Sequence, residues 1–259
     1  MANSDGIIVK SVDHAISILE CFSGSSAELK LSEIVAEMHL SKSTVYGLVN
    51  TLTTKGFLEQ NPDTRGYRLG IKLYELGSLV HKRMDLRNDA KPFCVELSQK
   101  YNATVHLAFH YENEVVYIDK VDSPGSIIIY SQIGKRAPMH CTGVGKAIMA
   151  YLPKIAIDNY LAKNPLQKFT DYTITNPDLL MKELKLTRKR GYAVDNEEIE
   201  FGLRCIAAPI FSHKNVPIAA ISISAPTARL PAEDIQTIAS DVQFYGQQIS
   251  QRLGYKVKE

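Results

Sequence analysis

The chain has 259 residues, enough for two domains, and 45% of them are hydrophobic, as a globular protein with a buried core requires. The N-terminus lacks an apolar signal-like segment and no run approaches the ~18 apolar residues of a membrane helix, so secreted and membrane-spanning readings are set aside and a cytoplasmic location is expected. Basic residues exceed acidic ones by only 30 − 28 = 2, so any nucleic-acid partner has to be argued from local charge and motif.

Val12, Ala15, Ile16, Ile18, Leu19 and Phe22 recur at helical spacing and predict a first helix over 11–22, stopped at Gly24. Leu31, Ile34, Val35 and Met38 predict a second over 31–38. A third is predicted from Ser41 to Lys55, with Val45, Leu48, Val49 and Leu52 inward and Gly56 ending it. The period then changes. Residues 57–60 and 67–69 flank Asn61-Pro62-Asp63-Thr64-Arg65-Gly66 and read as a β-hairpin. Three helices followed by a hairpin is the order of a winged helix-turn-helix, which places a DNA-binding domain at 1–70. A linker helix is predicted over 71–84, and a second domain over 85–259 opens with a helix at 86–100.

The second domain alternates between the two periods. Strands are expected at 104–111, 114–121, 126–133, 193–195, 205–211 and 217–224. Helices are expected at 142–151, 155–163, 177–190 and 231–253. The fold class that follows is a two-domain chain, α plus α/β, whose second domain is an antiparallel sheet flanked by helices.

Four scattered cysteines, Cys21, Cys94, Cys141 and Cys205, show no C-x-x-C, and the seven histidines show no H-x-x-x-H, so no metal or other cofactor is expected. The segment from His39 to Gln60 carries the DNA argument. A recognition helix brings its N-terminal residues to the major groove, and Ser41, Lys42, Ser43, Thr44, Tyr46 and Asn50 are small, polar or basic. Hydroxyls suit phosphate oxygens, while Lys42, Tyr46 or Asn50 can reach base edges. The wing adds Arg65 and Arg68. Over 41–68 four basic residues (Lys42, Lys55, Arg65, Arg68) stand against two acidic ones (Glu59, Asp63), a local balance of +2.

In the second domain, Thr142-Gly143-Val144-Gly145 precedes a helix and offers backbone amides, although Ala147 at the closing hydroxyl position rules out a P-loop. Ser222 and Ser224 are two apart on a strand and share a face. If these converge with Cys205 and Asp195, they suit a small carboxylate bearing an adjacent carbonyl or hydroxyl. The plainer readings are a polar strand face, a core thiol, and Asp195 capping the segment after it, with Glu197, Glu198 and Glu200 forming a solvated acidic face.

The stretches VDHAISILECF, LSEIVAEMHLSKSTVYGLVNTLTTKGFLE and GYRLGIKLYELG, then RAPMHCTGVGKAIMAYLP and RGYAVDNEEIEFGLRCIAAPIF with AAISISAP, resemble the IclR family of bacterial transcription regulators over nearly the whole chain. The resemblance implies a GAF/profilin-like effector domain and dimers that pair into tetramers on palindromic operator DNA. It also implies effector binding by Gly143, Val144, Asp195, Cys205, Ser222 and Ser224. Ala225-Pro226 stands where the family often has Gly-Pro, a change at the pocket edge. The expectation is a non-enzymatic repressor whose operator affinity follows a small α-keto or sugar-acid carboxylate. Two other readings remain: an enzyme using Cys141 or Cys205 with His140 or His213 as base, and a signalling module whose first domain binds protein.

Overall fold

The computed structural model describes residues 8–23, 28–82, 85–122 and 131–256. Its contacts divide the chain into two compact units, Met1–Met84 and Asp85–Glu259.

The first unit is built from α1 (Lys10–Glu20, followed by a 3-10 turn), α2 (Leu31–Met38), α3 (Lys42–Thr54), the strands β1 (Leu58–Gln60) and β2 (Tyr67–Leu69), and α4 (Ile71–Lys82). Local chemistry sets each boundary. The Glu33 carboxylate accepts the Lys30 amide at 2.6 Å and starts α2. His39 then adopts a left-handed φ of 52° that stops it. Ser41 caps α3 by accepting the Thr44 amide at 3.2 Å. Ile18, Phe22, Ile34, Val45, Val49, Leu52, Leu58 and Tyr67 close over one another as the unit's core. Each aliphatic side chain so buried contributes about 1.5–3 kcal/mol.

The second unit contains α5 (Asp85–Tyr101), β3 (Thr104–Tyr111), β4 (Glu114–Val121), β5 (Arg136–Pro138), α6 (Gly143–Met149), α7 (Lys154–Lys163), α8 (Pro177–Arg190), β6 (Ala193–Asn196), β7 (Leu203–Phe211), β8 (Pro217–Pro226) and α9 (Ile235–Arg252). The strands form one antiparallel sheet in the order β5-β4-β3-β8-β7-β6. Alternation along β7 and β8 divides their side chains between two layers. Ala208 and Ile221 face α9, whereas Cys205 and Ala207 face α6. Val144, Ile148 and Met149 of α6 join Leu180 and Leu184 of α8 in the core on that side.

The expected elements differ from the observed ones in a few places. Of the strand expected at 126–133, residues 131–133 belong to no strand, and on the side of β4 away from β3 the described partner is Arg136–Pro138. Residues 126–130, Gly24 and the last two residues of the expected linker helix lie outside the described residues. Among the described residues no helix is long and apolar enough to cross a membrane.

Candidate DNA interface and ligand cavity

Val45, Val49 and Leu52 turn one face of α3 into the core, and this leaves Ser43, Thr44, Tyr46, Gly47, Asn50, Thr51 and Thr54 exposed on the others. Lys42 is exposed at the helix start. Ser41 lies beside them, but its oxygen takes the Thr44 amide and its hydroxyl is within 3.0 Å of Ser43 Oγ and 2.8 Å of Thr44 Oγ1. Its immediate work is therefore to fix the helix start.

The wing turn is closed by its own side chains. Asn61 Oδ1 accepts the Asp63 amide at 3.0 Å, and Asn61 Nδ2 donates to Glu28 at 3.0 Å. Glu28 also accepts the Thr64 hydroxyl, which holds its carboxyl below the usual range. Arg65 sits at the exposed tip with a φ of 61°. A left-handed conformation costs a branched or long L-residue about 1–2 kcal/mol relative to glycine. Backbone geometry thus does not select arginine at that position. Arg68 lies exposed on the wing and pairs with Glu59 across the hairpin at 3.0 Å. Both partners are exposed, so the pair is worth little and is exchangeable for a phosphate.

The second site is a cavity of about 520 Å³ over the sheet, and all six residues expected at an effector site line it: Gly143, Val144, Asp195, Cys205, Ser222 and Ser224. Strand register explains why they meet. Asp195 of β6 is opposite Cys205 of β7, which is opposite Ser224 of β8, so the three form one row across the sheet. Directly opposed residues share a face. Ser222 lies two residues along on the same face, opposite His106 of β3. Helix α6 lies over this row, and Gly143 permits the approach: a Cβ there would come within 3.4 Å of the Cβ atoms of Cys205 and Ala207. The glycine amides are not all available as expected, because Thr142 Oγ1 accepts the Gly145 amide at 3.2 Å while donating to Pro138 O at 2.7 Å.

Asp195 is buried, and its Oδ1 accepts the Glu198 amide at 2.8 Å. It therefore caps the following turn and lines the cavity at once. Burial pushes its carboxyl up to about 7, with Glu198 adding to the rise and Lys146 opposing it. Burial likewise holds the Cys205 and Cys141 thiols well above the ordinary thiol value, with Asp195 reinforcing both. Such thiols stay protonated at neutral pH and are poor nucleophiles, which argues against the cysteine-enzyme reading.

His106, Tyr117, Phe169 and Phe201 line the cavity and were not read from the sequence. His106 is buried, with Nε2 2.5 Å from Ser131 Oγ and Nδ1 3.3 Å from Ser224 Oγ. Burial, reinforced by Lys120 and opposed by Asp122, lowers it to about 4, so the ring is neutral and links the two hydroxyls as donor to one and acceptor from the other. Tyr117 lies against His106, ring centroids 5.2 Å apart, and Phe169 and Phe201 complete an aromatic wall. A polar pair, Thr104 and His106, at alternate positions at the start of a largely apolar strand was the available signal for this side of the site. The expected solvated acidic face is also corrected. Glu198 is buried and ion-paired to the fully buried Lys146, which donates to Val194 O at 2.7 Å as well. Among the described residues no group of His, Cys, Asp and Glu is placed to hold a metal ion.

A winged helix-turn-helix followed by a sheet domain with a largely apolar cavity that carries a few polar groups defines a DNA-binding transcription regulator. The helix-turn-helix domain of the IclR family matches residues 11–62, and the C-terminal domain of the bacterial transcriptional regulator IclR matches residues 78–251. The chain belongs to the IclR family, whose members are regulators and not enzymes. It is 39% identical over 248 residues to the HTH-type transcriptional regulator XynR of Escherichia coli, covering 96% of this chain and 98% of that one. The transcriptional repressor IclR of the same organism is 32% identical over 224 residues, 86% of this chain and 82% of the relative. The crystal structure of an IclR homolog from Microbacterium hydrocarbonoxydans complexed with 4-hydroxybenzoate superposes with a TM-score of 0.83 at 25% identity, covering 94% and 98% of the two chains.

Proposed function

We propose that the chain is an operator-binding repressor whose affinity for DNA is set by a small α-keto or sugar-acid carboxylate held in the cavity of the second unit. The observation that carries the reading is the row Asp195–Cys205–Ser224, joined by Ser222, Gly143 and Val144 in one cavity. Its volume lies in the ~300–1,000 Å³ range of small-molecule sites. Ser222 and Ser224 would donate to the carboxylate, and Asp195 would take a hydroxyl or carbonyl group of the same ligand. The repressor direction follows the E. coli repressor IclR. Residues 1–70 would bind DNA, 71–84 link, and 85–259 sense in the cytoplasm.

On the DNA side, Lys42 and Arg65 would hold phosphates, together with Ser41, Ser43 and Thr44 and with Arg68 once released from Glu59. Tyr46 and Asn50 would face base edges. Val12 and Ile16 of α1 and Tyr74 and Leu79 of α4 leave large apolar side chains exposed. Contacts between copies would cover them in a dimer or a dimer of dimers.

A thermal-shift panel of keto acids, sugar acids and aromatic acids tests the cavity, since a ligand raises apparent stability by mass action. Ser222→Ala with Ser224→Ala is expected to abolish the shift given by the best keto or sugar acid. A shift of undiminished size in that double variant would refute the pocket. A second reading, an aromatic acid, is favoured by Tyr117, Phe169 and Phe201 in the lining and by the 4-hydroxybenzoate complex of the related protein. The largest shift would then come from the aromatic members. For DNA, Lys42→Ala with Arg65→Ala is expected to reduce the slope of log affinity against log salt by about 2, near 0.9 per lost phosphate contact. An unchanged slope would remove both residues from the interface.

A further inference from the structure

By the 3.6-residue repeat, Gly47 falls almost opposite the buried Val45, Val49 and Leu52, at the middle of the outward face of α3. Among the described residues of the unit, nothing requires a glycine there. Its backbone is ordinary α-helix without a positive φ, and a Cβ placed on it would meet no atom within 4 Å. Glycine is the poorest helix former after proline, so an exposed glycine in mid-helix works against the fold for no internal return.

The surroundings of this gap are defined. Ser43 lies one turn before it and Thr51 one turn after, with Tyr46 and Asn50 to one side. The Thr51 hydroxyl donates to the Gly47 carbonyl at 2.9 Å, and the Thr54 hydroxyl donates to Asn50 O at 2.8 Å. These threonines satisfy their hydroxyls within the helix and keep methyl groups to offer a partner. The outward line of α3 is therefore small and partly apolar, next to an asparagine amide, on the helix that a helix-turn-helix lays in the major groove.

We infer that Gly47 is a specificity-determining position: the gap above it, bordered by Thr51 and Asn50, accepts the C5-methyl of a thymine and lets α3 seat close to the base edges. The thymine methyl is the apolar group that the major groove exposes, and asparagine pairs bidentately with adenine N6 and N7. One A·T pair or step thus supplies both partners. The inference rests on α3 being the DNA-reading helix, and the test separates the two.

Duplexes are enriched from a randomised library with the full-length wild-type chain, and the winner is compared with its scrambled sequence at fixed salt. Gly47→Ala is expected to melt at the same or a higher temperature, to lose about tenfold on the enriched duplex, and to bind the scrambled one unchanged. Replacing the critical thymine by deoxyuridine, which lacks the methyl, should weaken the wild type and have little further effect on Gly47→Ala. Equal discrimination by the alanine variant, a lowered melting temperature, or indifference to deoxyuridine at every thymine would each overturn the assignment. Failure to enrich any duplex would overturn the DNA-facing role of α3 itself.

Discussion

Lys146→Met is expected to destabilise the second unit by about 3–5 kcal/mol, the scale for removing one partner of a buried ion pair. The Lys146 ammonium is enclosed between Glu198, Val194 O at 2.7 Å and Glu183 at 3.9 Å, and Glu183 is itself bridged to Arg190 at 2.7 Å. Glu198 is nearly as buried, and its Oε2 finds no hydrogen-bond donor among the described residues. Methionine fills much of the lysine's volume, so the loss measured is mainly that of leaving a carboxylate and a carbonyl without their cation. The companion Lys146→Met/Glu198→Leu should recover most of it, because an apolar pair of similar volume avoids both desolvation penalties. Urea denaturation followed by far-UV circular dichroism reads both variants. A single variant within 1 kcal/mol of wild type would mean that the pair contributes little. The consequence reaches the cavity, since the Glu198 amide donates to Asp195 and the Lys146 ammonium holds the carbonyl next to it.

This pair also marks where reading from sequence stopped. Helical spacing located α1 to α3 within a residue or two, because each buries one stripe against a small core. The serine pair on β8 and the aspartate on β6 were legible for a similar reason: alternation in a strand assigns faces without knowledge of the partner strand. Lys146 and Glu198 lie 52 positions apart, and nothing in either neighbourhood says that a loop brings them together. The run from Glu197 to Glu200 has the composition of a solvated face, and only the fold shows that one of its members turns inward. The charge balance of the wing already set Glu59 against its arginines, but only hairpin register shows that Arg68 is the residue opposite Glu59. His106 gains its meaning from β8 lying beside β3 rather than from its neighbours in the chain.

Effector affinity is expected to be flat below about pH 7 and to fall toward tenfold per pH unit above it. Asp195 is the reason. Its carboxyl, raised to about 7 by burial, is protonated below that value, and a protonated carboxyl both donates a hydrogen bond and accepts one. Lys146 offsets its charge in part and Glu198 adds to it, so burial still decides the direction. His106 is neutral above about 4, the Cys205 thiol and the Tyr117 phenol are held protonated by burial, and Lys146 is engaged by Glu198. Lys135, Arg136 and Glu200 also line the cavity, and Arg136 pairs with Glu114 at 3.0 Å. An entering carboxylate raises the cost of ionising Asp195 further, so above pH 7 binding must carry a proton with it, and one linked proton gives a slope of one. The same shift has a sign in the ligand-free protein. The folded state keeps a proton that the unfolded chain releases from near 3.8 upward, so this contribution to stability is present at low pH and is lost as pH rises through about 7. Titration calorimetry at pH 7.5 in buffers of different ionisation enthalpy should detect uptake of up to one proton with the acid that gives the largest thermal shift. Asp195→Asn should flatten both profiles. Affinity that holds or increases between pH 7 and 8.5 in the wild-type protein would place the ligand's charge away from Asp195, at the Lys135 and Arg136 side of the cavity.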